Sequence, residues 1–242
     1  MAMDDVVAAS ALAGADEALD TDARLWILGL AHITELNARN PPLVDEIEQV
    51  LDLCRSSMDF PAGPVRYHAQ GWELIEAETF RALVLTPPEA PHLQLRIALG
   101  RDGVVGVAMT RSGRADGVDD PSAALLTDLE AVLADLYSVT LTVALTVGRR
   151  CPIDMRLLIP ENGPGATPTY YAPDDQTGEL VPLRRNKKPF KPIDHRYEIT
   201  AETTPEQVDE DLVALATAMA KQIGARAPYL VTHRRPLATI RG

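Results

Sequence analysis

The chain has 242 residues, 46% of them hydrophobic, and a formal net charge of −12. That length suits one large domain or two small ones, and the apolar share is enough to bury a core, which excludes wholesale disorder. The acidic balance argues against a protein that coats nucleic acid. The longest apolar candidate, Trp26 to Ile33, is interrupted by Gly29 and His32 and is too short to span a membrane.

The first residues, Met1-Ala2-Met3-Asp4-Asp5, are acidic where a signal peptide is basic, so the expected location is the cytoplasm. Cys54 and Cys151 form no disulfide framework and stand in no CxxC pair, which fits reduced thiols in that compartment. Charge is unevenly placed: residues 1–120 carry 9 basic and 20 acidic groups, residues 121–242 carry 14 and 15. Nineteen of the 23 basic residues are arginine, and of the four lysines three, Lys187, Lys188 and Lys191, lie within five residues. Arginine preference with abundant alanine points to a GC-rich bacterial genome, and against it the lysine cluster is the least random feature of the chain.

Residues 1–19, rich in Ala, Asp and Glu, lack a bulky periodic face and read as a mobile tail. Residues 20–242 read as one domain, with a possible subdomain boundary near 111–120. Asp20 or Thr21 caps an expected helix to about Ala38, with Leu25, Trp26, Leu28, Ile33 and Leu36 as a wide apolar surface. Asn40-Pro41 starts a second, carrying Leu43, Ile47, Val50, Leu51, Cys54 and Met58 at helical spacing. After Pro61 and Pro64 the chain turns β-rich: residues 72–75, 80–85, 93–99 and 104–110 read as strands, the last two joined by a turn at Gly100 to Gly103.

Asp120-Pro121 caps a third helix through Leu125, Leu129, Leu133 and Leu136. Val139, Leu141, Val143, Leu145 and Val147 alternate with Thr140, Thr142, Ala144 and Thr146, the period of a strand, with Ile153 to Ile159 as its expected partner. Tyr170-Tyr171 and Leu180 to Leu183 flank a hairpin turn at residues 174–178, and His195 to Thr200 reads as another strand. Thr204-Pro205-Glu206-Gln207 is a strong helix start, with Val208, Leu212, Leu215, Met219 and Ile223 as its stripe and Gly224 as its end. Pro228 to Thr232 is a candidate final strand. Clustered strands rather than one-for-one alternation predict an α+β fold: a mainly antiparallel sheet, meander plus hairpins, packed against about four helices. The expected core joins Leu125, Leu129, Leu133, Val139, Leu141, Val143, Leu145, Leu212, Leu215 and Met219.

Motifs that carry chemistry are scarce. Gly100, Gly103 and Gly106, and the Asn162-Gly163-Pro164-Gly165 stretch, sit where turns belong and lead into no helix, so they form no phosphate loop. His32, His68, His92, His195 and His233 are far apart in sequence and give no zinc spacing, and no cofactor is expected. Arg149-Arg150 would lower the thiol pKa of Cys151, yet a position between strands fits a buried, inert thiol better. Glu73, Glu76 and Glu78 read as a solvated edge, and Asp154 lacks the Glu-x-Lys a nuclease strand would follow it with.

The run from Arg184 to Arg196 holds six basic groups, Arg196 included, and one acid, Asp194. Pro189 and Pro192 remove two donors and make it a loop or sheet edge. Arg184, Arg185, Lys187, Lys188, Phe190, Lys191 and Arg196 are the candidate binding residues, with the prolines holding the Phe190 ring outward. The expected function is a non-catalytic protein-binding module, an adaptor or chaperone-like component of a bacterial complex. The element order resembles that of small secretion-chaperone-like α+β domains, a likeness of order with no matching motif. A nucleic-acid-associated or nuclease-like defence component using the 184–196 loop is the first alternative, favoured by a basic stripe continuing through Arg149, Arg150, Arg234 and Arg235. An enzyme whose site assembles only in three dimensions is the second, favoured by a cleft where His68 or His195 meets carboxylates.

Overall fold

A computed structural model describes residues 25–33, 72–76, 80–85, 93–100, 103–111, 118, 120, 122–147, 151–159, 168–183, 189–200 and 203–231. The expected tail 1–19, the helix over 40–58, most of the 111–120 stretch, and Arg184, Arg185, Lys187 and Lys188 lie outside them.

Seven antiparallel strands make one sheet: β1 (Leu25–Ile33), β2 (Trp72–Glu76), β3 (Phe80–Leu85), β4 (Leu93–Gly100), β5 (Val104–Arg111), β7 (Cys151–Leu158) and β10 (Ile193–Ile199). Their order is β10-β7-β1-β5-β4-β3-β2. A smaller sheet holds β6 (Ala123–Leu125), parallel to β8 (Thr169–Pro173), which pairs in turn with β9 (Leu180–Pro182). Two helices occur among the described residues, α1 (Leu126–Val147) and α2 (Pro205–Ile223). The α+β class and mainly antiparallel sheet agree with the sequence reading; the described residues hold two helices rather than about four, and the expected 40–58 helix lies outside them.

β1 accounts for one missing helix. The reading of residues 20–38 as a helix is overturned: Leu25–Ile33 is an interior strand of the sheet, between β5 and β7. Its apolar surface is wide because it is buried on both faces: Ile27, Ala31 and Ile33 join the core under the helices, while Trp26 and Leu30 pack with Ala82, Ala98 and Ala108 on the other side. A short run of apolar residues buried all round has no period that separates strand from helix.

α1 holds a second difference, in an expected strand rather than an expected helix. Val139–Val147 is not a strand but the second half of this helix. Val139, Val143 and Ala144 are buried on helical spacing, and the buried Thr140 hydroxyl donates to the Leu136 carbonyl one turn back. The helix starts at Leu126, not at Pro121, because Ala123–Leu125 is drawn into strand pairing with β8. Cys151–Leu158 therefore pairs with β1 and β10 rather than with residues 139–147.

α1 lies across the sheet face at β1 and β5, and α2 packs on α1. One core cluster holds Leu95 to Met109 from before the 111–120 stretch and Leu126 to Ile223 from after it. Helix and sheet approach closely at Gly29: a Cβ there would lie 3.1 Å from Leu136 Cδ2 and 3.2 Å from Val132 Cγ1. α2 has its expected start, with Thr204 and Gln207 forming a reciprocal capping box, and its expected end at Gly224, φ 90°.

Candidate functional site

Alternation along β10 sorts its side chains. Ile193, His195 and Tyr197 are half-buried on the helix side, while Asp194, Arg196 and Glu198 are exposed on the other. Register with β7 sets the exposed row opposite matching charges: Asp194 faces Arg156, and Arg196 faces Asp154. Arg156 grips Asp194 through two guanidinium nitrogens, at 2.6 and 3.3 Å, and Arg196 lies 3.6 Å from Asp154. Exposed pairs of this kind contribute about 0–1 kcal/mol each, so they fix register more than they stabilise.

On the helix side, His195 and Tyr197 meet Tyr137 from the middle of α1. Tyr137 and Tyr197 stack with centroids 5.1 Å apart, and His195 and Tyr197 at 5.9 Å. The three rings line a cleft of about 480 Å³ between β10 and the first half of α2. Thr200, Thr203, Gln207 and Val208 also line it, together with the exposed Glu210 and Asp211 of α2. Tyr137 is fully buried, and burial together with the charge of Asp211 pushes its phenol pKa far up, so it stays protonated. Tyr137 Oη and His195 Nε2 are buried atoms with no hydrogen-bond partner among the described residues.

β10 has a single strand neighbour, β7, among the described residues, so it ends the sheet on that side. The segment leading into it is held at two points. Phe190 is buried in the core, and Gln222 of α2 clasps the Lys191 backbone, accepting from its N–H at 2.6 Å and donating to its carbonyl at 3.0 Å. The expectation that Phe190 points outward is thus wrong: the prolines flank an anchor, because an aromatic ring next to an apolar sheet edge gains more from burial than from display. Lys191 and Arg196 are exposed as expected.

Other candidates resolve into structure. Glu73 is exposed on β2, the sheet's opposite outer strand. Residues 228–231 form no strand; the backbone N–H groups of Tyr229, Leu230 and Val231 donate to the buried Glu130 carboxylate at 2.8, 2.6 and 2.8 Å. Asp174 closes the hairpin turn by accepting from the N–H groups of Gln176 and Thr177, which hold its pKa low. Among the described residues no group of three or more His, Cys, Asp or Glu could hold a metal ion. No helix among them is long and apolar enough to cross a membrane.

Sequence reasoning reached Arg196, Lys191 and, through its test for a cleft, His195. It missed Tyr137, Glu210 and Asp211. The available signal was the His195-x-Tyr197 spacing, which puts two ring side chains on one face of a strand. Compared with known proteins, the chain matches no family model, no curated protein and no solved structure.

Proposed function

We propose that the chain is a non-catalytic protein-binding module whose contact surface is the outer edge of β10 together with the basic segment that leads into it. The observation that carries this reading is that the sheet ends at β10 among the described residues while Phe190 and Gln222 pin the neighbouring backbone in place. A fixed edge can accept a strand from a partner, whose main chain supplies the affinity. The anchored segment presents the exposed Lys191, and Lys187 and Lys188 precede it in the sequence. An extended segment with acidic side chains fits such a border.

A second reading has one observation in its favour. His195 lines a cleft with Glu210 and Asp211, the arrangement that would favour an enzyme. The pinned backbone beside β10 has two separate anchors in its favour, Phe190 and Gln222, so binding is preferred over catalysis.

The test is affinity purification of the tagged protein from its host, with half of the lysate treated with nuclease. A protein that survives nuclease treatment, and is lost when Lys187, Lys188 and Lys191 are all changed to glutamine, supports the reading. Recovery of nucleic acid with nuclease-sensitive proteins only would replace it with the nucleic-acid alternative.

A further inference from the structure

We propose that the cleft between β10 and α2 binds an organic cation, a guanidinium or alkylammonium group, with Tyr137 at its floor and Glu210 and Asp211 at its rim. The inference is independent of the docking edge, since the ligand occupies the space behind β10 rather than its outer border. The volume of about 480 Å³ lies within the range of small-molecule sites.

The floor supplies the first argument. Tyr137 is 0% exposed, yet its hydroxyl has no partner among the described residues. Native proteins satisfy nearly all buried polar atoms, so an orphan in the lining of a cleft marks a place for a ligand atom. His195 Nε2 is a second such atom on the same lining. A neutral phenol offers lone pairs, and the imidazole Nε2 accepts when its proton sits on Nδ1.

Charge supplies the second. Glu210 and Asp211 bring two carboxylates to the opening. Arg196, the cationic residue of the lining, has its guanidinium 3.6 Å from Asp154, on the face of the sheet away from the helices. An anion entering the cleft would meet like charge. A group rich in N–H donors and positively charged meets carboxylates, a phenol oxygen and aromatic rings, the partners guanidinium and ammonium favour.

The experiment titrates the full chain with three probes by calorimetry and by amide chemical shifts. These are agmatine, an Ala-Arg-Ala peptide blocked at both ends, and glutarate as an anionic control. Agmatine or the peptide should bind and shift the amides of residues 203–211, and glutarate should not. Tyr137→Phe and Asp211→Asn should each weaken that binding by about tenfold. A melting temperature for Tyr137→Phe no lower than that of the parent protein shows that the fold is intact, as expected when an unsatisfied hydroxyl is removed. Tighter agmatine identifies a free small molecule as the source of the cation, and a tighter peptide identifies a partner's side chain; both outcomes uphold the site. Failure of both cations at millimolar concentration, preference for glutarate, or affinity unchanged in both variants overturns it.

Discussion

Glu130 shows how one buried charge ties distant parts of the chain together. Its carboxylate is fully buried on α1 and receives three backbone N–H groups from residues 229–231. Burial raises its pKa above the ordinary 4.5, and the three donors only partly offset that. A raised carboxyl pKa means that the folded state holds more protons than the unfolded one between the two values. Its contribution to stability is therefore full below the unfolded pKa and is lost as pH rises through the folded one. Glu130→Gln keeps one acceptor, turns an amide donor toward N–H groups, and should cost about 1–3 kcal/mol. Because glutamine does not titrate, the gap between parent and variant should narrow as pH rises from 4.5 upward. Urea unfolding at several pH values measures this; a gap that widens with pH would show that the donors, not burial, dominate. None of it was legible in the sequence, where residues 228–232 read as a strand. A carboxylate on a helix gives no sign of which backbone will reach it. Phe190 teaches the converse: its position between prolines was read correctly as irregular, but whether an aromatic in a basic loop faces in or out depends on the neighbouring sheet edge.

At the scale of elements, the meander β2 to β5 and α2 were readable because local signals agreed there. Alternation, turn glycines and a capping box each pointed the same way. β1 and the second half of α1 misled for opposite reasons. β1 is apolar on both faces, so its period vanished. Residues 139–147 alternate like a strand, but a strand there needed a turn after Leu136, and Tyr137-Ser138 supplies no Gly, Pro, Asn or Asp. The continuity of α1 matters for the cleft, since it sets Tyr137 opposite β10. The contact of α1 with β1 at Gly29 gives the test. Val132 and Leu136 are both fully buried, so neither has room to yield to a Cβ at 3.1–3.2 Å. Gly29→Ala should destabilise by about 1–3 kcal/mol through overpacking, although alanine suits a strand better than glycine. Denaturant unfolding that shows equal or greater stability would mean that α1 does not sit this close to the sheet.

Across the whole molecule, the charge pattern decides how a partner would be met. The net charge is −12, and α2 exposes Glu206, Glu210 and Asp211 beside the cleft. Lys187, Lys188 and Lys191 are a local reversal of sign in the sequence, just before the strand that ends the sheet among the described residues. Long-range steering acts on the sum of these fields, so the body repels an acidic partner while the segment attracts it and selects one approach. Charges at the border of an interface act chiefly on the rate of encounter. Changing all three lysines to glutamine should therefore slow association with an acidic protein partner while leaving dissociation nearly unchanged. The difference should shrink as salt rises past about 0.15 M, where screening reaches only about 8 Å. Stopped-flow or surface-binding kinetics at two salt concentrations separate the rates. A nucleic-acid partner would give another signature, a slope of log K against log salt flatter by about three units or fewer, because each lysine lost is one phosphate contact fewer. Unchanged kinetics at low salt with every partner found would reduce the three lysines to protection of an exposed edge against pairing with other chains, and the docking surface would have to be sought elsewhere.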